Sequence, residues 1–527
     1  MPAKIYDVAI IGSGAAGGTL SAHLARSGAD VIVLEGGPKV DTRTAFNTHA
    51  LPYQFPNRHI PTMKPGVEGF DSERSRGLGG KTQLWNAVAL RMSPRDFKGY
   101  RHDSAGADWP IDYADLAPYY DAIEREVGVC GNLDHLPDLP DGIFLPPVPM
   151  KCSDQILARG AASLGVKIIH VRKATRSTPA PRTEWTPGRP ACHFCGNCMA
   201  GCDVVAKYNS YDVHMIPALK TGKLTLQPDS IVYDIPVSQE NRVTGVKFLD
   251  RTTKQPGEIR ARIVVVAAAC AQSASILLMS KSALYPTGLA NSSGHLGRDF
   301  IPHFTGGVQV FLKDLIGKPS ANDEGFLDHA YIPSFMHDRP RDYARSFGVQ
   351  FNYQNRRAAG WAKSVPGFGK AFKHDVKDRY PAFVVLSPYG EMLPNKDSFV
   401  DLDYTKKDAY GLPLTRRTVS WKDNDRKLFK DMTNRVVDIA KASGAEILSV
   451  ADTPATNHEL GGCRAGLDPR TSVVNGNLQS HDIPNLYIVD GSVFPSASEK
   501  NPTHTIMALA ARLAVHIKSK ATRGEPA

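Results

Sequence analysis

The chain has 527 residues, a formal net charge of +10 and a pI near 9.0, with 42% hydrophobic and 22% charged residues. That balance is ordinary for a soluble globular protein, and the length suffices for roughly two to four domains. The basic residues are dispersed, with no Lys/Arg block and no RNA-binding aromatic signature, which argues against a nucleic-acid partner and leaves room for docking an acidic electron-transfer partner.

The first element predicted is a buried strand, Ile5 to Ile11. It runs straight into Gly12-Ser13-Gly14-Ala15-Ala16-Gly17, a helix from about Ala15 to Ser27, and a second strand, Asp30 to Leu34, that ends at Glu35. Gly12 permits the tight turn, Gly14 lets backbone approach a pyrophosphate, and Gly17 lets the helix pack against the sheet. The first helical N–H groups, at Ala15 and Ala16, carry partial positive charge toward phosphates, and Glu35 is placed to accept from an adenosine ribose. This context specifies a dinucleotide site without separating FAD from NAD.

No apolar leader precedes the first strand. The longest apolar stretch, Ile263 to Cys270, is too short to cross a bilayer. A cytoplasmic protein is expected, or a periplasmic one co-exported with a small signal-bearing subunit.

Further along, the sequence holds Arg76-Gly77-Leu78-Gly79-Gly80-Lys81-Thr82-Gln83-Leu84-Trp85-Asn86, then Asp108-Trp109-Pro110 and Leu116-Ala117-Pro118-Tyr119-Tyr120. The stretch Thr178 to Pro190 lacks apolar periodicity and reads as an excursion. It leads to Cys192, Cys195, Cys198 and Cys202, four of the eight cysteines, spaced C-x2-C-x2-C-x3-C. This is the bacterial ferredoxin spacing, with Asp203 where a proline usually follows, and it favours an iron–sulfur cluster. Structural zinc, which His193 could help to bind, is the alternative, although zinc hooks usually lie further apart. Four ligands would suit a 4Fe–4S cluster and three a 3Fe–4S cluster. The segments Leu224 to Asp234, Arg242 to Leu249 and Arg260 to Ala268 read as strands, as do Phe383 to Leu386, Ser398 to Leu402 and Arg416 to Trp421, these last three in a second sheet. The C-terminal part holds Asn457-His458-Glu459-Leu460-Gly461-Gly462, a strand Leu486 to Val489 followed by Asp490-Gly491-Ser492, and Asn501-Pro502-Thr503-His504-Thr505.

The glycine turn, the Arg76–Asn86 block, Ala267 to Ser280 with Ser273, and the run from Asn457 to Leu513 resemble, in order, the conserved blocks of the glucose–methanol–choline (GMC) oxidoreductases. Within that family the chain is similar to the catalytic subunits of bacterial sugar dehydrogenases: glucoside 3-dehydrogenase, gluconate dehydrogenase and FAD-dependent glucose dehydrogenase. The resemblance implies an α/β fold: a Rossmann-like FAD-binding domain with a discontinuous α+β substrate domain on an antiparallel sheet, in the p-hydroxybenzoate-hydroxylase-like architecture. The expected divisions are 1–100, 215–300 and 450–527 for the FAD domain, 101–181 for a linking helical segment, 182–214 for the cluster loop and 301–449 for the substrate domain.

The resemblance further implies that Gly79, Gly80, Thr82 and Asn86 lie along the flavin. Backbone at Val232 would contact the adenine, and Asp490 and Gly491 the pyrophosphate. His458 matches the catalytic base, a role that suits an imidazole of unperturbed pKa near 6.5. Asn501 matches the second catalytic position, and His504 has a secondary role. Relatives that bind flavin covalently carry a histidine where this chain has Leu84 beside Trp85, so FAD is expected to be non-covalent. The implied reaction is oxidation of a sugar or glycoside CH–OH, the 3-hydroxyl of a glucoside foremost. Electrons would leave through the cluster to cytochrome c or a quinone-linked acceptor. An oxygen-using sugar oxidase with a structural zinc loop is the rival.

Overall fold

The computed structural model describes residues 4–45, 76–182, 188–196, 198–319, 330–335, 340–352 and 360–522. Asn197 of the cysteine run, residues 183–187 of the expected excursion and residues 46–75 of the first FAD segment lie outside these.

The fold is built on two sheets. Among the described residues the first has seven strands. Ile5–Ile11 lies at its centre, paired in parallel with Val31–Leu34 on one side and Pro256–Val266 on the other. Val31–Leu34 is buried throughout, as is the C-terminal half of Ile5–Ile11, and both are rich in Val and Ile, the signature of parallel strands covered on both faces. Leu224–Gln227 adds in parallel beyond Val31–Leu34. The long strand Pro256–Val266 shares its other edge: its first half pairs antiparallel with Gly245–Asp250, its last residues in parallel with Leu486–Ile488. The N-terminal strand, the middle strands and a C-terminal strand thus meet in one sheet. The helices Ala15–Arg26 and Thr503–Thr522 pack on each other, and both contribute to the large core around this sheet.

Among the described residues the second sheet has eight strands, and their pairings are antiparallel. Its main path runs Ala445–Val450, Val308–Leu312, Phe383–Gly390, Phe347–Asn352, Ala330–Ile332, Ile169–His170. The helix Asp423–Ala442 packs on it, burying Leu428, Met432, Val436 and Ile439 at helical spacing. Two of its strands come from outside 301–449: Ile169–His170 and Ala455–Asn457. The latter pairs with His303–Thr305, which places Asn457 opposite His303.

Two expectations change. The stretch 224–234 is two strands, because Pro228 and a left-handed Asp229 (φ 55°) turn the chain. Phe399–Lys407 and Pro413–Thr418 are strands, but they form a separate ribbon. The ribbon packs against the helix Cys270–Met279 on the FAD side, where Ser275 and Thr415 share a hydroxyl hydrogen bond of 2.9 Å.

Candidate functional site

The glycine turn sits where the Ile5–Ile11 strand hands over to the helix Ala15–Arg26. A Cβ on Gly17 would lie 1.9 Å from the Gly12 carbonyl oxygen, so only glycine lets helix and turn come this close. A Cβ on Gly14 would meet nothing within 4 Å, so the surface above the helix start is open backbone. There the first-turn N–H groups, including those of Ala15 and Ala16, have no intrahelical acceptor. That combination suits a phosphate.

Glu35 ends the second strand, buried, and burial raises its pKa. Its carboxylate accepts from Ser13 N (3.2 Å), Ser13 Oγ (2.5 Å), Gly37 N (3.0 Å) and Gly77 N (3.1 Å). Glu35 thus clamps the glycine turn to the start of the Arg76–Asn86 block. This tie was not visible in the sequence, where a ribose contact alone was expected. A second clamp comes from Ser210, which donates to Ser13 O (2.7 Å) while its N–H donates to Thr82 Oγ1 (3.0 Å). Thr82 in turn donates to Gly79 O. Gly80 (φ 51°) brings this block against the turn: a Cβ there would stand 3.0 Å from Gly14 Cα.

Asn86 Oδ1 is buried with no hydrogen-bond partner among the described residues, an orphan acceptor that a bound polar ring edge would satisfy. Val232 lies buried in Ser230–Asp234, whose first N–H donates to Glu35 O. Asp490 is buried after Leu486–Ile488 and accepts from Ser273 Oγ (2.5 Å) and Ser492 N (2.8 Å), joining the Ala267–Ser280 segment to Asp490-Gly491. Hydrogen bonds thus tie the glycine turn to Glu35, Ser210 and the Arg76–Asn86 block, and the open helix start and the orphan acceptor are the kind of groups that a bound cofactor would satisfy.

His458 and Asn501 come together from sequence positions 43 apart. His458 adopts a left-handed backbone (φ 45°), held by the Asn457 side chain, which accepts its N–H at 2.8 Å. Asn501 Nδ2 stands 3.2 Å from His458 Nε2, and Gln350 Nε2 donates to Asn501 Oδ1 at 2.6 Å. On the other edge of the ring, His458 Nδ1 lies 3.0 Å from His303 Nδ1, with the rings edge-to-face, and Tyr389 packs over His458. Burial, then His303 and the Lys81 charge, hold His458 well below the ordinary histidine pKa, and burial takes His303 down to about 4. His303, Gln350 and Tyr389 carry no motif and were not singled out in the sequence, and Lys81, inside the Arg76–Asn86 block, was given no role there. The pairing of Ala455–Asn457 with His303–Thr305 brings His303 to His458.

His504 does not join them. Its Nε2 lies 3.1 Å from Glu124 in a separate buried cluster with Arg91 and Tyr120. Burial opposes ionisation of Glu124, but hydrogen bonds from Arg91 and His504 outweigh it and take its pKa to about 2. One residue into the last helix, His504 points its ring at the neighbouring helix Tyr113–Val127 and so anchors the two helices.

Cys192, Cys195, Cys198 and Cys202 line a single pocket with His193, Thr175 and Lys207. Phe194 N donates to Cys192 Sγ (3.3 Å) and Lys207 N to Cys202 Sγ (3.5 Å). Backbone N–H donors to sulfur suit thiolates that ligate a metal. As placed, no three Cys, His, Asp or Glu side chains among the described residues converge tightly enough to hold a metal ion. The sequence thus gathers the four sulfurs about one pocket without closing them on a centre. Burial raises the Cys192 and Cys202 thiols and lowers Lys207 to about 8. None of the described helices is long and apolar enough to cross a membrane.

Comparison with known proteins adds the following. Sequence models described as GMC oxidoreductase match residues 69–305 and 394–510, and one described as FAD binding domain matches residues 7–49. The fructose dehydrogenase large subunit of Gluconobacter japonicus is 30% identical, over 98% of this chain and 98% of its own length. The 2-methyl-1,2-propanediol dehydrogenase of Mycolicibacterium austroafricanum is 30% identical, over 98% of this chain and 95% of its own. The crystal structure of pyridoxine 4-oxidase from Mesorbium loti superposes with a TM-score of 0.65 at 16% identity, covering 98% of this chain and 99% of that one, a likeness of fold.

Proposed function

Because the chain belongs to the GMC oxidoreductases and is an FAD-dependent enzyme acting on CH–OH groups, we propose that it is a sugar or glycoside dehydrogenase with His458 as its base. The single observation that carries the site is the contact of His458 Nε2 with Asn501 Nδ2 at 3.2 Å, with Lys81 of the Arg76–Asn86 block near enough for its charge to act on the ring.

FAD, when bound, supplies the acceptor for the hydride from the carbinol carbon. The protein's residues do the rest. His458 is neutral at working pH, and with its Nδ1–H donating to His303 Nδ1 it keeps a lone pair at Nε2. A substrate hydroxyl that takes the place of the Asn501 N–H at Nε2 gives its proton to that lone pair. The Asn501 amide N–H, which Gln350 orients through Oδ1, then holds the alkoxide-like oxygen. The reaction removes two electrons and two protons from the alcohol. Cys192, Cys195, Cys198 and Cys202, whose pocket is tied to the Arg76–Asn86 block through Lys207, would hold a thiolate-ligated iron–sulfur cluster, which would supply one-electron transfer to an external haem or quinone carrier.

Among substrates, a glucoside oxidised at its 3-hydroxyl is the leading assignment. It rests on the resemblance to sugar dehydrogenases, with support from the fructose dehydrogenase large subunit. The name of that relative also supports a companion subunit, which would carry the export signal if the enzyme works outside the cytoplasm.

The test is spectroscopic. Purified enzyme is expected to show flavin absorption over a broad iron–sulfur band, with about three or four irons per chain, and both should bleach with a glycoside. A flavin spectrum with no iron and with peroxide produced from substrate would replace the dehydrogenase by an oxidase.

A further inference from the structure

We infer that Lys207 couples the flavin site to the cysteine pocket, fixing their separation and placing a buried positive charge between them. The electrical half rests on the iron–sulfur reading, whereas the mechanical half stands on geometry alone.

Lys207 is 2% exposed. Its Nζ donates to Gln83 O (2.9 Å) and Trp85 O (3.1 Å), both in the flavin block, and to Cys198 O (2.6 Å), in the cysteine run. A neutral amine has only two N–H donors, so three carbonyl acceptors require the ammonium form. The backbone N–H of the same residue donates to Cys202 Sγ. One residue therefore holds four points of the flavin block and the cysteine loop at once. Trp85 is fixed from its other side by donating its indole N–H to Tyr208 O at 2.8 Å, so the tie is doubled by the next residue.

The charge pattern is as telling as the hydrogen bonds. No carboxylate among the described residues pairs with Lys207. Nor does one pair with Arg189, which is 3% exposed and held by the carbonyls of Val127, Val205 and Ala206 just behind the pocket. A buried cation without a counter-ion is costly to the fold. Two of them flanking four thiols make sense where the thiols carry negative charge, since each then lowers the cost of burying the other. Each electron entering the pocket adds one negative charge, and an ammonium fixed on the flavin side favours its arrival.

Lys207→Met keeps the length of the side chain and removes its donors and charge, while Lys207→Arg keeps both. Hydrogen–deuterium exchange of the FAD-loaded enzyme is expected to rise together in residues 79–86 and 192–207 of Lys207→Met, and to stay near wild type in Lys207→Arg. The midpoint potential of the pocket's centre, followed by electron paramagnetic resonance, should become more negative in Lys207→Met. Electron delivery to an artificial one-electron acceptor should then fall by about tenfold more than flavin reduction by substrate. Exchange that rises in one segment only, or in neither, overturns the coupling. So does a Lys207→Arg enzyme whose two segments open independently, and this variant decides the matter if Lys207→Met fails to bind FAD. An unchanged potential overturns the electrical half. Iron-free wild-type enzyme would sink the cluster reading by itself while the exchange data still decided the mechanical half.

Discussion

A histidine accepts a proton only while it is neutral, and everything packed on His458 keeps it so. Burial, a second histidine at 3.0 Å and the Lys81 charge all disfavour the imidazolium. His458→Ala should bind FAD normally yet reduce it with substrate about a hundred- to ten-thousand-fold more slowly, measured by stopped-flow absorbance; near-normal reduction would refute the assignment. The lowered pKa also has a sign. The base is lost only as pH falls through its folded-state value, so the acid limb of kcat/KM should lie well below pH 6.5, the ordinary histidine value. A limb at 6.5 or above would mean that the ring is not shielded. Stability follows the same sign through His303, whose pKa is about 4 when folded. Below its ordinary value the unfolded chain takes up a proton that the folded chain refuses. Stability is therefore lost as pH falls from 6.5 toward 4, by at most about 3 kcal/mol from this one residue. His303→Gln should flatten that part of the denaturation profile and, by loosening the base, lower kcat.

At the scale of elements, the site depends on how closely the helix Ala15–Arg26 and the Arg76–Asn86 block come to the glycine turn. With the Gly12 oxygen 1.9 Å from where a Gly17 Cβ would stand, Gly17→Ala must push the helix start away from the strand. FAD affinity, read by flavin fluorescence, should fall by about tenfold or more, for a loss on the order of 1–3 kcal/mol; retained affinity would show that the turn can relax. The strand, turn, helix and strand of this unit were legible because each has a local signature. Local also were the cysteine spacing and the blocks around His458 and Asn501. What the sequence withheld is non-local. The Glu35 carboxylate reaches to Gly77, 42 residues on, and the ribbon 399–418 chooses the FAD-side helix over the second sheet. His504 turns to Glu124 although it stands three residues from Asn501. In each case the partner is fixed by packing between distant segments, which neither periodicity nor spacing encodes.

On the scale of the whole molecule, the two sheets divide the work. The seven-stranded sheet carries the glycine turn, Glu35 and Asp490, while the second sheet brings His303 and Gln350 to the base at its edge. The cysteine pocket is tied to the Arg76–Asn86 block by Lys207. If, as proposed, His458 takes the proton and the cysteine pocket carries the electrons out, the two functions should separate under mutation. Cys198→Ser places a hydroxyl at a buried pocket-lining position and removes one thiolate, without touching His458 or Asn501. Flavin reduction by substrate in a single turnover should persist, because it needs only the FAD surface and the His458–Asn501 pair. Steady-state transfer to an external one-electron carrier should fall by about a hundredfold, and the iron content should drop with it. Equal losses in both steps would mean that the pocket supports the flavin site structurally. Unchanged transfer would mean that electrons leave the flavin by a route that avoids the cysteines.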